Sequence, residues 1–429
     1  MTIRIGAGAG FAGDRIEPAV ALAERGELAA LALECLAERT IALGQRRRLA
    51  DPGSGYDPRL LARLAPLLPI TLRAGTRVLT NMGAADPVAA GRVVRTLLDE
   101  IGPEADVGVV TGDDVLDRVD LDAPALEDGL PLRAHGEIVS ADAYLGADAI
   151  RPALEAEAAV VITGRVADPS LFLAPLAHHF GWDADDADTM AAGTLVGHLL
   201  ECAGQLTGGY LADPGTIDVP GLADLGFPFA EVDGDGSAVY GKLPGTGGRL
   251  DRHTVREQLL YEVTDPAGYA TPDVLLDLRE VTLDQVGVDR VRVQGARGRP
   301  RPDELKVSVG YRAGHRVEAE ISYTGPNAVA RGRLAADVVA TRLSGLATPR
   351  IEVLGGETDC RLRVAALGHD RGLLDTVGHE VEALYTNGPA GGGGVRVHTT
   401  EVIGVLSTLV PRELARPEVT ILEGRRAAA

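Results

Sequence analysis

Short apolar runs separated by polar, glycine-rich turns recur along the first part of the chain. Residues 158–163 form a continuous apolar run rich in β-branched side chains, which is typical of a strand buried on both faces of a parallel sheet. Similar runs occupy residues 2–6, 28–33, 78–80 and 107–110. Helical patterns lie between these runs, so the alternation predicts an α/β domain built on a mostly parallel sheet.

The pattern changes in the last third of the chain. Residues 288–294, 304–311 and 317–323 read as three successive strands, and a helix over 326–343 and a strand over 350–354 follow. This change predicts a second, smaller α/β (α+β) domain, with the boundary near 270–285. We therefore expect an N-terminal domain over residues 1–275 and a C-terminal domain over residues 276–429.

The first predicted turn matches the pattern G-x-G-x-x-G through Gly8, Gly10 and Gly13. It follows a strand and precedes a helix, and the next strand ends at Glu34, as in a Rossmann dinucleotide site. An alternative is that the glycines only permit a tight turn, because the motif recurs by chance in a chain with 54 glycines. Asp14 is predicted to cap the following helix.

Four side chains near the central apolar run are candidates for chemistry. Arg165 and Asp168 follow the run, at the carboxyl end of a strand, where open α/β sheets bind ligands. Asp168 also reads as a helix N-cap. His198 and Glu201 lie three residues apart on the next predicted helix, so they share a face and can act as general base and orienting group. The alternative for His198 is a buried histidine satisfied by its neighbour.

Glycine-rich segments elsewhere suit anions, because backbone N–H groups and helix N-termini favour negative charge. We expect one anionic pocket to be formed by Lys242, Gly245, Thr246, Gly247 and Gly248 together with Thr207, Gly208 and Gly209. Asn81 follows a predicted strand and is either a ligand-binding residue or a loop residue bonded to backbone. Asn387 opens a further glycine-rich loop and is a candidate for binding the same ligand.

The chain has 429 residues and a formal net charge of −20, which argues against nucleic acid and anionic membranes as partners. Its three cysteines are far apart, which fits a reducing cytoplasm and excludes a cysteine-based zinc site. No signal peptide or membrane-spanning run is apparent. We expect a cytoplasmic homo-oligomer without a bound metal.

Several motifs together resemble those of the acyclic terpene utilisation protein A family. They are the segments 5–14, 163–168, 197–202 with 207–209, 242–248, 257–262 and 387–394, which cover nearly the whole chain. Two positions depart from the family pattern: Ala7 stands where asparagine is common, and Ala12 where an aromatic residue is common.

The resemblance implies a role in the degradation of acyclic terpenoid and branched acids through acyl-CoA intermediates. We therefore expect an enzyme that acts on an acyl-CoA thioester by general acid–base chemistry, in hydration, dehydration or C–C cleavage. Arg165 would bind a carboxylate or an enolate oxygen, and Asp168 with the pair His198 and Glu201 would move protons. Lys242 and the glycine-rich loops would hold the CoA phosphates.

CoA would enter as part of the substrate, and no other cofactor is expected to be required. Two alternatives remain open at this point. One is an NAD-dependent oxidoreductase that uses the loop from Gly8 to Gly13, and the other is a non-catalytic partner of an acyl-CoA carboxylase.

Overall fold

The computed structural model describes residues 2–346 and 348–425, and the chain divides into two units. The described helices are α1 (Glu17–Arg25), α2 (Glu38–Ala50), α3 (Leu60–Ala74), α4 (Pro87–Ile101), α5 (Ala147–Glu155), α6 (Ser170–Phe180), α7 (Ala187–Leu200), α8 (Arg252–Leu260), α9 (Ala328–Arg342) and α10 (Arg371–Asn387). The described strands are β1 (Ile3–Gly10), β2 (Ala30–Glu34), β3 (Arg77–Thr80), β4 (Val107–Thr111), β5 (Ile138–Ala143), β6 (Val160–Thr163), β7 (Pro228–Val232), β8 (Ala238–Lys242), β9 (Tyr269–Ala270), β10 (Leu275–Asp277), β11 (Thr282–Gly287), β12 (Arg290–Gln294), β13 (Arg297–Arg299), β14 (Glu304–Thr324), β15 (Arg350–Gly356), β16 (Asp359–Gly368), β17 (Gly392–Pro411) and β18 (Glu418–Leu422).

The first unit contains a ten-stranded sheet in the order β11-β12-β8-β7-β1-β2-β3-β6-β4-β18. Its five inner strands, in the order β1-β2-β3-β6-β4, are parallel. The remaining pairs are antiparallel, so the sheet is mixed rather than mostly parallel. Two of these pairs, β7-β8 and β11-β12, are hairpins joined by residues 233–237 and 288–289, and such connections are too short for the crossover that parallel strands need.

The division of the chain differs from the boundary expected at 275/276. The first unit comprises Met1–Leu130, Ser140–Val309 and Val405–Ala429, and the second comprises Pro131–Val139 and Gly310–Gly404. The hairpin β11-β12 continues one edge of the ten-stranded sheet through β8, and β18 pairs with β4 at the other edge. The strand pattern along the sequence does not reveal such long-range pairing, which explains the difference.

The second unit has its own hydrophobic core. Strand β16 pairs antiparallel with both β14 and β15. Helices α9 and α10 cover this sheet, and the core includes Val317, Ile321, Tyr323, Leu362 and Val381. Alternation of buried and accessible positions along β16 shows that one face of the sheet is packed against helices.

The central strands of the first unit are buried along their length, as the apolar runs predicted. Every residue of β2 and of β6 is buried, because helices pack against these inner strands. Their parallel direction brings the carboxyl ends of β1, β2 and β6 to one edge, at Gly10, Glu34 and Thr163. No helix in the described part of the chain combines the length and apolar character needed to cross a bilayer.

Gly10 is a packing requirement of this edge. A Cβ atom at Gly10 would overlap the backbone of Cys202. We expect Gly10→Ala to lower the free energy of unfolding by about 3 kcal/mol, the upper end of overpacking costs, because backbone cannot yield as a flexible side chain does. Chemical denaturation measures this change.

A matched control is Gly356→Ala, because a Cβ there would meet no atom within 4 Å. We expect this variant to unfold at nearly the wild-type denaturant concentration. Equal stability of the Gly10 and Gly356 variants would contradict the assignment of Gly10 as a close-packed position.

Candidate functional site

The carboxyl ends of β1, β2 and β6 border a cavity of ≈ 500 Å³ in the first unit. Its wall combines acidic and aromatic side chains. The acidic side chains are Glu34, Glu38, Asp168, Glu201, Glu262 and Glu304, and the aromatic ones are Phe11, Tyr144, Tyr261 and Tyr269. Lys306 supplies a positive charge to the same wall. Such a cavity suits an apolar ligand with a polar reacting end and disfavours phosphate groups.

Arg165 is buried behind Asp168, with 1% of its surface exposed. Its guanidinium donates to the carbonyls of Leu36 and Val166 and to the carboxylate of Asp168, and it lies 4.4 Å from the ring centroid of Tyr144. Arg165 does not line the cavity, whereas Asp168 does, with 32% of its side chain exposed. Arg165 therefore orients Asp168 and does not itself face a ligand.

The predicted capping role of Asp168 is wrong. Helix α6 begins at Ser170, and its N-cap is Pro169, without a side-chain cap. The carboxylate of Asp168 pairs with Arg165 instead, because a buried guanidinium requires a counter-charge more than the helix end requires a cap.

Glu34 lies beside Asp168 and is held by Asn81. One oxygen of Glu34 accepts hydrogen bonds from Asn81 Nδ2 at 2.8 Å and from the Leu36 amide at 2.7 Å. The side-chain oxygen Oδ1 of Asn81 accepts a hydrogen bond from the Cys35 amide at 2.7 Å. Asn81 is fully buried and does not line the cavity, so it orients Glu34.

The two carboxyls influence each other's ionisation. Burial raises the pKa of Glu34 well above its ordinary value, and the charge of Asp168 raises it further. Burial also raises the pKa of Asp168, although Arg165 opposes the shift. Both shifts favour the protonated forms of these two neighbouring carboxyls.

His198 and Glu201 form a second pair. His198 Nε2 lies 3.1 Å from the carbonyl oxygen of Leu259, and because a carbonyl only accepts, Nε2 carries the hydrogen. His198 Nδ1 lies 3.2 Å from Glu201 Oε1, so these two atoms share one proton. Burial lowers the pKa of His198, but the hydrogen bond and the charge of Glu201 outweigh it and raise the pKa.

Glu201 is the member of this pair that faces the cavity. It follows the end of α7, whereas His198 is fully buried within the helix. Burial raises the pKa of Glu201 to about 7, and its Oε2 has no hydrogen-bond partner among the described residues. A carboxyl with a pKa near neutrality is suited to proton transfer, and His198 positions it.

Lys306, Glu38 and Tyr144 complete the wall and were missed in the sequence. The Tyr144 hydroxyl donates to Glu38 Oε1 at 2.6 Å, and Lys306 Nζ donates to the same oxygen at 3.0 Å. Although burial opposes it, these hydrogen bonds lower the pKa of Glu38 to about 2, so Glu38 is ionised. The sequence did contain one indication of Lys306. The chain has only two lysines, Lys242 and Lys306, among many arginines, so each lysine was a candidate for a specific role.

The glycine-rich first loop differs from a dinucleotide-binding turn. Gly8 lies inside β1, where a Cβ would overlap Leu33. The Gly10 amide donates to Asp14 Oδ2 at 2.8 Å. Asp14 therefore does not cap the next helix, which begins at Glu17. An internal carboxylate thus occupies a backbone donor that a pyrophosphate would use, and Gly13 lies exposed beyond it.

Lys242 is engaged with protein groups. Its Nζ lies 3.1 Å from Asp289 Oδ2 and donates to the Thr246 carbonyl at 2.8 Å. Lys242 is buried and does not line the acidic cavity. Both contacts of Lys242 are therefore to protein groups, so an anion would have to compete with Asp289 for its charge.

The two glycine segments beside Lys242 do come together, since the Arg249 amide donates to the Thr207 carbonyl at 2.9 Å. Their donors, however, bond to nearby carbonyls. The Thr207 hydroxyl donates to the Gly226 carbonyl. The amides of Gly208 and Gly209 donate to the carbonyls of Gln205 and Gly204, and the amides of Gly247 and Gly248 donate to those of Asp224 and Pro220. Gly245 has a left-handed φ of 82°. The predicted single anionic pocket is therefore replaced by a region of close backbone packing.

Asn387 lies in the second unit, at the end of α10. Its side-chain amide donates to the Ala383 carbonyl at 3.2 Å within the same helix. It does not line the acidic cavity of the first unit. Within the described residues, no group of three or more histidine, cysteine, aspartate or glutamate side chains has a geometry that could hold a metal ion.

Comparisons with known proteins identify the family. The family model described as "Acyclic terpene utilisation family protein AtuA" matches residues 3–421. No curated protein matches significantly. Among solved structures, the de novo designed protein Ferredog-Diesel is 22% identical over 20% of this chain and 88% of its own chain, with a TM-score of 0.17. That likeness is too small to bear on function.

The raised pKa of Glu201 predicts a pH dependence of stability. An acid whose pKa is about 7 in the folded protein, against an ordinary 4.5, binds its proton more tightly when folded. Its contribution is present at low pH and is lost as the pH rises from about 4.5 to 7. Replacing Glu201 by glutamine, which does not titrate, should therefore reduce this loss of stability.

Denaturation of wild type and Glu201→Gln at pH 5 and pH 8 tests this expectation. We expect the wild type to lose more stability than the variant between the two conditions. Glu257→Gln, an exposed position on α8, is the control and should follow the wild type. Parallel losses in wild type and Glu201→Gln would show that the Glu201 proton is not linked to folding.

Proposed function

Because the chain belongs to the acyclic terpene utilisation family AtuA, we propose that it is an enzyme of acyclic terpenoid catabolism that acts on an acyl-CoA thioester. The observation that carries the proposal is the carboxyl of Glu201. It faces a cavity, has a pKa of about 7 and lies in the same wall as the pair Glu34 and Asp168. A general acid–base catalyst works best when its pKa is near the operating pH.

The proposed chemistry is addition or loss of water next to the thioester. In the direction of dehydration, Glu201 takes the proton from the carbon adjacent to the thioester carbonyl. The pair Glu34 and Asp168 gives its proton to the departing hydroxyl, which leaves as water. Hydration is the reverse. Lys306 donates to Glu38 through one of its three N–H groups, and another would stabilise the negative charge that develops on the thioester oxygen.

Two positioning residues support these roles. His198 is hydrogen-bonded to Glu201, and Arg165 is hydrogen-bonded to Asp168. Glu201 and Asp168 therefore each have a buried partner. The partners keep the carboxyls in place while the charge on each changes. Direct binding of substrate by Arg165, as expected from the sequence, is not part of this proposal, because its guanidinium faces protein groups.

The remainder of the wall supports an apolar acyl chain. Phe11, Tyr269, Leu305 and Leu409 line the cavity and offer hydrocarbon and aromatic surface. The acidic side chains disfavour phosphate, so only the acyl end of a CoA ester would enter. The NAD-dependent alternative has less support, because Asp14 occupies the Gly10 amide and Asn81 holds Glu34.

Deuterium exchange at the carbon adjacent to the thioester tests the acid–base role whatever the net reaction is. Wild type is incubated in D₂O with a panel of branched, isoprene-derived acyl-CoA thioesters, and incorporation is followed by mass spectrometry. We expect the wild type to catalyse exchange, with a pH–rate profile that changes slope near pH 7. The exchange rate should fall by about 10²–10⁴-fold in Glu201→Gln. Glu257→Gln should keep the wild-type rate. Absence of exchange and turnover across the panel, or equal rates in Glu201→Gln, would refute the proposal.

The two lysines provide a second comparison. Lys306→Met removes the charge from the cavity and should lower kcat/KM by about 10²–10³-fold, as loss of an oxyanion donor does. Lys242→Met breaks a buried ion pair outside the cavity, so it should lower the melting temperature and leave kcat/KM of the folded protein near wild type. A larger loss of kcat/KM in Lys242→Met would place the thioester elsewhere.

A further inference from the structure

A second, smaller cavity of ≈ 280 Å³ adjoins the acidic one within the first unit. The two share Gly10, Phe11 and Cys202 in their walls. The second cavity is also lined by Asp14, Gly204, Gln205, Gly209, Tyr210, Leu225 and Phe227. This wall carries one acid, against six in the acidic cavity, so the two are suited to different parts of a ligand.

Tyr210 is the unusual residue of this wall. It has a φ of 63° and 96% of its surface is exposed. A left-handed conformation is unfavourable for a tyrosine by about 1 kcal/mol or more. An exposed ring buries almost no surface that could offset this strain in the folded protein. The strain therefore indicates that the Tyr210 ring serves to contact a ligand and does not stabilise the fold.

Phe11 faces the same cavity from the end of β1, with 53% of its surface exposed. The backbone of Gly13 lies close to this ring, because a Cβ added at Gly13 would lie only 2.6 Å from Phe11 Cε1. Gly10 and Gly209 line the same cavity and contribute no side chains to it. Both glycines are required there, since a Cβ at Gly10 would overlap Cys202 and one at Gly209 would lie 2.8 Å from the Gly204 carbonyl oxygen.

This second cavity, called the slot below, is therefore lined by the aromatic residues Phe11, Tyr210 and Phe227 and by bare backbone at Gly10 and Gly209. We propose that the slot binds the adenine ring of a nucleotide by stacking on Phe11 and Tyr210. Aromatic side chains stack on nucleobases in this manner because every base has a π-face. The slot shares Gly10, Phe11 and Cys202 with the acidic cavity, so one ligand would place its reacting end in the acidic cavity and its base in the slot.

Two guanidinium groups lie beside the slot and suit the nucleotide's phosphates. Arg15 Nη1 donates to the carbonyls of Leu222 and Ala223, and Arg59 Nη1 donates to the Ala12 carbonyl, next to Phe11. Both side chains belong to exposed residues, so charge remains available at the surface. Their positive charge would favour the phosphates of a nucleotide whose base lies in the slot.

Two kinds of ligand carry an adenine nucleotide that could bind in the slot: a CoA thioester and a dinucleotide. We assign the thioester as the occupant, and this assignment rests on the proposed function. The acyl chain would then lie in the acidic cavity, and the pantetheine arm of CoA would pass from that cavity to the slot beside Phe11 and Cys202. The test separates the two sources by using adenosine 3′,5′-bisphosphate, CoA, NAD⁺ and pantetheine as probes.

Isothermal titration calorimetry with each probe measures the slot directly. We expect CoA and adenosine 3′,5′-bisphosphate to bind the wild type, and pantetheine, which lacks the base, to bind more weakly. Tyr210→Gly should lower nucleotide affinity by about 5- to 100-fold, the effect of losing one base-stacking ring. Phe11→Ala should lower it similarly. Tyr210→Phe keeps the ring and should keep the affinity, as should Tyr385→Ala, an exposed tyrosine of the second unit.

Stability gives an independent readout of Tyr210. Glycine accepts a positive φ without strain, so Tyr210→Gly should melt at or above the wild-type temperature while losing affinity. A ring needed only for the fold would give the opposite result, a lower melting temperature with unchanged affinity. Failure of the wild type to bind CoA and adenosine 3′,5′-bisphosphate, or equal affinity in Tyr210→Gly, would overturn the proposal. Tighter binding of NAD⁺ than of CoA would overturn the assignment to a thioester.

Acyl-pantetheine substrates distinguish this proposal from the proposed function. They carry the reacting group but no nucleotide. Deuterium exchange of acyl-pantetheine without nucleotide binding would refute the slot alone. Nucleotide binding without exchange of any thioester would refute the proposed acid–base function alone.

Discussion

The arrangement of the candidate site depends on the buried guanidinium of Arg165. Its donors reach the Leu36 carbonyl, which follows β2, and the Val166 carbonyl and Asp168, which follow β6. The amide of Arg165 also donates to Asp113 Oδ2 at 2.6 Å, beyond the end of β4. One residue therefore fastens the ends of three parallel strands together. Removing a partner from a buried ion pair leaves an uncompensated charge and costs about 3–5 kcal/mol, so Arg165 and Asp168 constrain each other strongly.

Much of this site could be anticipated from the chain alone, because it is built from local patterns. Apolar β-branched runs identified the inner strands, and the polar residues that follow them were placed at the ligand-binding edge by the direction of a parallel sheet. The spacing of His198 and Glu201 indicated a pair. The sequence could not show which member of each pair faces the cavity. That depends on tertiary packing, which buries Arg165 and His198 and leaves Asp168 and Glu201 at the wall.

The predictions based on glycine-rich turns were less successful, for a common reason. A backbone N–H binds an anion only if no protein group already accepts its hydrogen bond. The Gly10 amide is taken by Asp14, and the amides of Gly247 and Gly248 are taken by the carbonyls of Asp224 and Pro220. Composition marks where a chain can turn, but it does not show the partner of each amide, which is a nearby side chain for Gly10 and the carbonyl of a separate turn for Gly247 and Gly248. Lys306 was missed for the same reason, since it reaches Glu38 across 268 positions of the chain.

The position of β18 has a consequence for biosynthesis. This strand, Glu418–Leu422, pairs with β4, Val107–Thr111, and covers that edge of the ten-stranded sheet. During translation, β4 emerges from the ribosome long before its partner, and the whole second unit is made in between. The nascent first unit therefore carries an unpaired apolar strand edge until residue 422 is available. Open edges of this kind recruit other chains, so the interval before β18 docks is when the protein is most exposed to aggregation and to chaperones.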